Sequence, residues 1–222
     1  NTGDPYYSHQ IRWQNTRQGM RYFTDDFRAQ MQSEEELAAD LAAYLDPGRE
    51  KWHPLCRAQY LEMTLFMSCY LLNSQGDRMM MGNSIEGRVP FLDHRVIELG
   101  AQIPPKFKLR VLEEKFILKR AFADLLPPAI ANRPKQPYRA PIASCFARGA
   151  NNIGAQLLEK ESLERTGFAN AAVMDKLLQR GAAGGQGLSE RDEMAVATVT
   201  SLQLLDHFFV SNFNPTRQKV QE

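Results

Sequence analysis

The sequence predicts a mainly α-helical fold, and three observations carry that expectation. Apolar residues recur at helical spacing in several separate segments, such as LAADLAAYL at 37–45. Residues able to cap a helix, Ser33 and Ser189, stand immediately before such segments. No stretch alternates apolar and polar residues as a half-buried strand does.

The elements follow in order. Residues 1–32 read as an irregular lead-in rich in aromatic, Arg and Gln residues, with a short helix around Arg12–Met20. Ser33-Glu34-Glu35-Glu36 has the form of a capping box, and Asp46-Pro47-Gly48 stops the helix it opens. Leu55–Ser74 is long, apolar and free of Gly and Pro. It exceeds a single strand and predicts a buried helix. GDRMMMGNS (76–84) adds a short helical turn between Gly76 and Gly82. Another helix is expected over Leu92–Ala101, closed by Ile103-Pro104-Pro105. Glu113–Leu126 carries Phe116, Ile117, Phe122, Leu125 and Leu126 on one stripe, and Pro127-Pro128 ends it. Beyond an Arg/Lys/Pro segment at 133–142 lie helices near 151–160 and 170–180, then a glycine-rich joint at 181–187. The last helix runs from its Ser189 cap through Phe209, and the polar tail from 211 to 222 is expected to fray. We read 1–210 as one helical portion, with a site-bearing core at 53–146 and C-terminal helices at 150–210.

Composition narrows the classes. At 222 residues, with 43% hydrophobic and 24% charged residues, the chain is ordinary globular material rather than a disordered one. A net charge of +1 gives no whole-chain argument for nucleic acid or for a membrane surface, and no apolar run reads as long enough to span a bilayer. Cys56, Cys69 and Cys145 are odd in number and scattered, which predicts small core thiols in a reducing, cytoplasmic setting rather than a disulfide framework. His9, His53, His94 and His207 show no metal-ligand spacing, so no metal site is expected from this chain's side chains.

Three polar clusters interrupt the helical plan. The first is Gly76-Asp77-Arg78, at the end of the long apolar segment. The second is NSIEGRVPFLDH (83–94), where Glu86 and Arg88 adjoin the apolar run Val89-Pro90-Phe91-Leu92. The third is Asn132-Arg133-Pro134-Lys135-Gln136-Pro137-Tyr138-Arg139. Between Lys106 and Arg139 nine Lys/Arg stand against three Asp/Glu, a local surplus that suits an anion such as a nucleotide or pyrophosphate. Each cluster also has a plain structural reading: a helix-terminal pair at Asp77-Arg78, a structural pair at Glu86 and Arg88, and a solvated basic loop at 133–139. Spacing alone names no reaction.

Residues 70–94, YLLNSQGDRMMMGNSIEGRVPFLDH, and 126–138, LPPAIANRPKQPY, resemble the synthetase domain of glutamine-dependent asparagine synthetases, as does the intervening IPPKFKLR…EKFILKRAF. The resemblance spans roughly residues 53–146. It implies the helical C-terminal part of an adenine-nucleotide α-hydrolase-like (ATP pyrophosphatase) α/β domain, with the parallel sheet and phosphate loop outside these residues. It also implies ATP and Mg²⁺ as cofactors, adenylation of a carboxylate, and displacement of AMP by ammonia released from glutamine. On the matched motifs, Glu86 would orient or deprotonate the incoming nitrogen, and apolar surroundings would strengthen it as a base. Lys135, pinned between Pro134 and Pro137, would stabilise the transition state and the departing phosphate. Asp77, Arg78, Arg88 and Arg133 would shape the substrate and nucleotide site, with Arg88 holding Glu86 or a neighbouring helix end.

Two departures bear on this. A Ser-Gly-Gly-x-Asp-Ser phosphate loop is absent from these residues, and so is an N-terminal cysteine nucleophile, since the chain opens Asn1-Thr2. The expected partners are therefore the glutaminase domain and the phosphate-loop half of the same enzyme, with glutamine and an acceptor carboxylate as substrates. Neither nucleic acid nor a membrane is expected, and a homodimer is compatible with the reading. The acceptor stays open, because synthetase-like enzymes of specialised metabolism close β-lactams or lasso peptides with the same adenylation. A non-catalytic helical scaffold is the alternative of a different class.

Overall fold

The computed structural model describes residues 3–136, 152–182 and 188–213. Among them the fold is mainly α-helical, as the sequence predicts, and the only sheet is a two-stranded ribbon. The chain divides into two compact units, Asn1–His9 with Ala38–Pro137, and Gln10–Leu37 with Tyr138–Glu222.

The second unit holds a closed apolar core. Tyr22, Phe23, Leu158, Leu163, Ala169, Met174, Leu177, Ala195, Val196 and Val199 form one buried cluster. Helices Lys160–Thr166, Ala171–Ala182 and Glu190–Asp206 supply most of it. Gly167, at φ 68°, ends the first of these and its N–H donates to the Leu163 carbonyl at 3.0 Å; a β-carbon is disfavoured in that left-handed conformation. The reversal lets Phe23 bridge Ala169. Thr24 and Asn170 extend the tie through Thr24 N–H to the Phe168 carbonyl (3.0 Å) and Asn170 N–H to the Tyr22 carbonyl (2.8 Å).

Asp192 organises the polar side of that core. It is buried, accepts from the Tyr22 hydroxyl, and pairs with Arg21 at 2.9 Å and Arg180 at 3.1 Å. Burial pushes its carboxyl up, but bonds from Tyr22 and Ser189 together with the two guanidiniums outweigh that and leave it below the ordinary carboxylate range. Burial and the same carboxylate raise the Tyr22 phenol.

Glu190–Asp206 continues as a π-helix, His207–Ser211. Together they make 22 residues, long and apolar enough by composition to cross a membrane, which corrects the expectation that no such run exists. Only 28% of the apolar window is buried, yet Asp192, Ala195, Val196, Val199, Thr200 and Gln203 all lie inside the unit. The packing of that part is that of a core helix.

The first unit is built differently. Its buried apolar residues are Leu45 and Leu61, joined by buried His9 and Arg49. His9 Nε2 lies 3.1 Å from Glu62, and Arg49 donates to Tyr6 Oη at 2.8 Å and to the Asp46 carbonyl at 2.9 Å. The expected buried helix at 55–74 becomes a rod of three pieces: Pro54–Leu61 (α), Glu62–Asp77 (π) and Arg78–Gly82 (α). The π stretch buries none of its residues, so the expectation of a buried helix is corrected. Its wider turn stacks residues five apart, as in the 2.7 Å bond from Gln75 to Tyr70 Oη. Cys69 is exposed and Cys56 half-buried, which corrects the core reading of the former; Cys145 lies outside the described residues.

Several helices are shorter than their apolar stripes. Pro90–Leu92 forms a 3-10 turn and the next helix runs His94–Gln102, opened by Asp93 rather than by Leu92. The stripe at 113–126 is helical only over Phe116–Ala121. Glu113–Glu114 instead pairs antiparallel with Leu109–Arg110, and Lys115, at φ 57°, separates ribbon from helix. The Ser33 capping box forms, with Ser33 N–H to Glu36 Oε2 at 2.8 Å and Glu36 N–H to Ser33 Oγ at 3.2 Å. The glycine joint beyond Ala182 and the tail beyond Phe213 fall outside the described residues.

Candidate active site

The site motif begins where the long rod ends. The Asn83 and Ile85 N–H groups both return to the Met80 carbonyl, at 3.0 and 2.8 Å, and the Ser84 N–H returns to that of Met81 at 3.1 Å. Ser84 takes φ 55°, a left-handed conformation that turns the chain back along the helix end. Gly87 then lies against Met80: a β-carbon there would sit 2.3 Å from Sδ and 2.7 Å from Cε. A β-carbon between Glu86 and Arg88 would therefore have to displace the tip of Met80. Glu86 and Arg88 emerge on either side of Gly87.

They meet as an ion pair at 2.7 Å, with side chains 71% and 81% exposed. Of the two expected partners of Arg88, Glu86 or a neighbouring helix end, the structure pairs it with Glu86. Among the described residues no apolar wall covers Glu86, Val89 being 54% and Phe91 72% exposed. Such an open pair contributes at most about 1 kcal/mol. Its carboxylate is accessible rather than desolvated. Downstream, Asp93 accepts from the Arg95 N–H at 2.9 Å and from both arms of the Arg95 guanidinium at 3.0 and 2.8 Å. Those bonds, the side-chain one first, hold the Asp93 carboxyl below its ordinary range.

Asp77 and Arg78 stand at the junction of the π-helix and Arg78–Gly82, both exposed. Among the described residues they form no ion pair with each other, so the helix-terminal pair is not observed. The third cluster starts behind helix Pro128–Ala131, whose end is tied by the Arg133 N–H to the Ile130 carbonyl at 3.3 Å. Arg133 and Lys135 are exposed and unpaired among the described residues. Pro137 and Arg139 lie outside those residues, so the proline that would pin the far side of Lys135 does too. The structure therefore joins Glu86 to Arg88, and it bonds neither of them to Lys135 or Arg133.

The chemistry open to this set is simple. Among the described residues Arg78, Arg133 and Lys135 have no carboxylate partner, and guanidinium and ammonium groups of this kind suit anions. Glu86 is an accessible carboxylate that can accept a proton. Among the described residues no three His, Cys, Asp or Glu side chains converge on one point to hold a metal ion. Sequence reasoning missed one feature of this unit, the convergence of Arg110 and Arg120 on Phe116 at 5.1 and 5.7 Å from the ring centroid. The basic surplus at 106–139 contained that signal, but not which cations would share a ring.

Comparison with known proteins agrees with the motifs. The asparagine synthase family model matches residues 3–206, and the chain belongs to that family. "Amidase chyE" of Penicillium rubens is 31% identical over 163 residues, which are 70% of this chain and 23% of that protein. "Asparagine synthetase [glutamine-hydrolyzing] 3" of Bacillus subtilis is 46% identical over 121 residues, 54% of this chain and 19% of that protein. "Amidase chry2" of Gibberella zeae is 28% identical over 154 residues, 67% of this chain and 23% of that protein. The chain thus spans less than a quarter of the length of these relatives. No solved structure matches.

Proposed function

We propose that this chain supplies amide-forming residues to an ATP-dependent, glutamine-hydrolysing, asparagine-synthetase-like ligase. The observation that carries the reading is the family match over residues 3–206, with Glu86 and Lys135 lying inside it in the motif positions named above. ATP, when bound, supplies the adenylyl group that turns a carboxylate oxygen into a leaving group. Arg78, Arg133 and Lys135 offer the positive charge that phosphate oxygens need, with Lys135 offsetting the charge that builds as AMP departs. Ammonia adds to the acyl carbon and must shed a proton; Glu86 accepts it. Arg88, bonded to Glu86 at 2.7 Å, aims that carboxylate and is a positioning residue. The C–N bond forms as the C–O bond to AMP breaks, and amide, AMP and pyrophosphate are the products.

The reading carries its partners with it: a glutaminase portion that releases ammonia, a phosphate-loop portion that completes the nucleotide site, and Mg²⁺ held outside the described residues. The free thiols Cys56 and Cys69 support a reducing, cytoplasmic setting. The test is ATP–pyrophosphate exchange in the full-length enzyme carrying this sequence, with an acceptor acid present. Lys135→Ala should lower amide formation, the step in which AMP departs, by about 10²-fold or more. Exchange and amide formation both at the wild-type rate remove Lys135 from the reaction. Failure of the wild type to bind ATP at all favours the scaffold reading instead.

A second reading rests on the fungal relatives whose names say amidase, which match more of this chain than the asparagine synthetases do. In it the acceptor is a carboxylate other than aspartate, amidated or cyclised in specialised metabolism. A panel of acceptor acids in the same exchange assay separates the two. Aspartate-dependent exchange excludes the second reading, and exchange with another acid alone excludes the first.

A further inference from the structure

The proposed reaction leaves one cavity unused. Helix Pro105–Lys108, strand Leu109–Arg110 and helix Phe116–Ala121 fold back on one another in the first unit. Phe107, Arg110, Phe116, Ile117 and Arg120 line an open cavity of about 440 Å³ between them. That volume lies in the range of small-molecule sites. Neither Glu86 nor Lys135 lines it.

Its chemistry is specific. Both guanidiniums lie over the single ring of Phe116, at 5.1 and 5.7 Å from its centroid. A stacked guanidinium spends its face on the ring and keeps its N–H edge free, and that edge matches two oxygens of a phosphate. Glu113, the cross-strand neighbour of Arg110, lies 3.9 Å from Lys119, and among the described residues neither Arg110 nor Arg120 has a carboxylate within ion-pair distance. Both arginines line the same cavity, so an anion seated in it meets two positive groups. Phe107 and Ile117 leave room beside the anion for a flat or apolar body.

We propose that Arg110 and Arg120, stacked on Phe116, form a binding site for an organic phosphate monoester with an aromatic or apolar body, separate from the Glu86 motif. A carboxylate ligand fits less well, because its single charge leaves one guanidinium uncompensated.

The experiment titrates the full chain with phenyl phosphate, inorganic phosphate and benzoate, following the arginine Nε–H resonances and the heat of binding. Phenyl phosphate should bind at millimolar concentration or below and shift the Arg110 and Arg120 resonances. Inorganic phosphate and benzoate should each bind about tenfold more weakly. Arg110→Lys and Arg120→Lys keep the charge and lose the fork, and each should weaken phenyl phosphate about tenfold. Phe107→Ala should weaken phenyl phosphate and leave inorganic phosphate unchanged. The proposal is overturned if millimolar phenyl phosphate leaves both arginine resonances in place. It is overturned equally if the two lysine variants, folded by circular dichroism, bind phenyl phosphate as the wild type does. Should either variant fail to fold, the wild-type resonances decide alone.

Discussion

Glu86 and Arg88 show how one residue, Gly87, sets what its neighbours can do. With no β-carbon it lets the chain press on Met80, and the two charged side chains leave the turn side by side. Gly87→Ala should displace the Met80 tip, a flexible group, and cost about 1 kcal/mol. Urea melts of the variant beside the wild type check this, and an unchanged midpoint contradicts it. Arg88→Ala leaves Glu86 in place but unaimed. In the full-length enzyme it should lower amide formation about tenfold while ATP–pyrophosphate exchange persists. Loss of exchange as well would place Arg88 on the nucleotide instead. At this scale the sequence was informative about identity and poor about environment. The string around Glu86 resembles its family closely, yet Val89 and Phe91 of the apolar run beside it stand exposed because nothing among the described residues covers them.

Elements were legible where local chemistry decides them. Ser33 and Glu36 exchange both capping bonds, and Ser189 accepts from the Asp192 N–H at 3.3 Å, as their spacing predicts. Ser33→Ala should cost about 1 kcal/mol, read as faster hydrogen exchange in the first turn of Glu34–Tyr44. Where register or tertiary pairing decides, the sequence was silent. Nothing in EMTLFMSCYLLNSQGD distinguishes a π register from an α one, and the stripe at 113–126 conceals the pairing of Glu113 with Arg110. The Asp192 network was equally invisible, because its partners Tyr22 and Asp192 are 170 residues apart. It makes a pH prediction. The Asp192 carboxyl sits below its ordinary value, so its stabilisation is full above about pH 4 and is lost as pH falls through the lowered folded value. The Tyr22 phenol is raised, so its share persists below about pH 10 and is lost as pH rises through the raised folded value. Asp192→Asn should cost about 2 kcal/mol at neutral pH and flatten the acid limb. Equal losses at about pH 7 and about pH 2.5 in urea melts would contradict the assignment.

On the scale of the molecule, the two units differ in what they bury. The second has a closed cluster in which Met174 is fully buried and Leu163 and Val199 are 1% exposed. The first leaves Met81, Phe91, Leu99, Val111 and Leu112 more than 60% exposed. Backbone amides of Val196 and Val199 should therefore exchange at the slowest, global limit, and those of 79–99 by local opening. Equal protection in both would contradict the contrast. Met174→Ala should destabilise the second unit by about 2–5 kcal/mol. The helical class was legible from periodicity and caps, whereas the imbalance between units was not, because apolar stripes look alike whether or not a partner surface meets them.

The most direct test of the account is amide formation by the full-length enzyme carrying Glu86→Gln, measured beside its ATP–pyrophosphate exchange. A glutamine keeps the shape of the side chain and cannot accept the proton from ammonia. The account predicts that amide formation falls by about 10²-fold or more while exchange stays near the wild-type rate. Amide formation at the wild-type rate would contradict it.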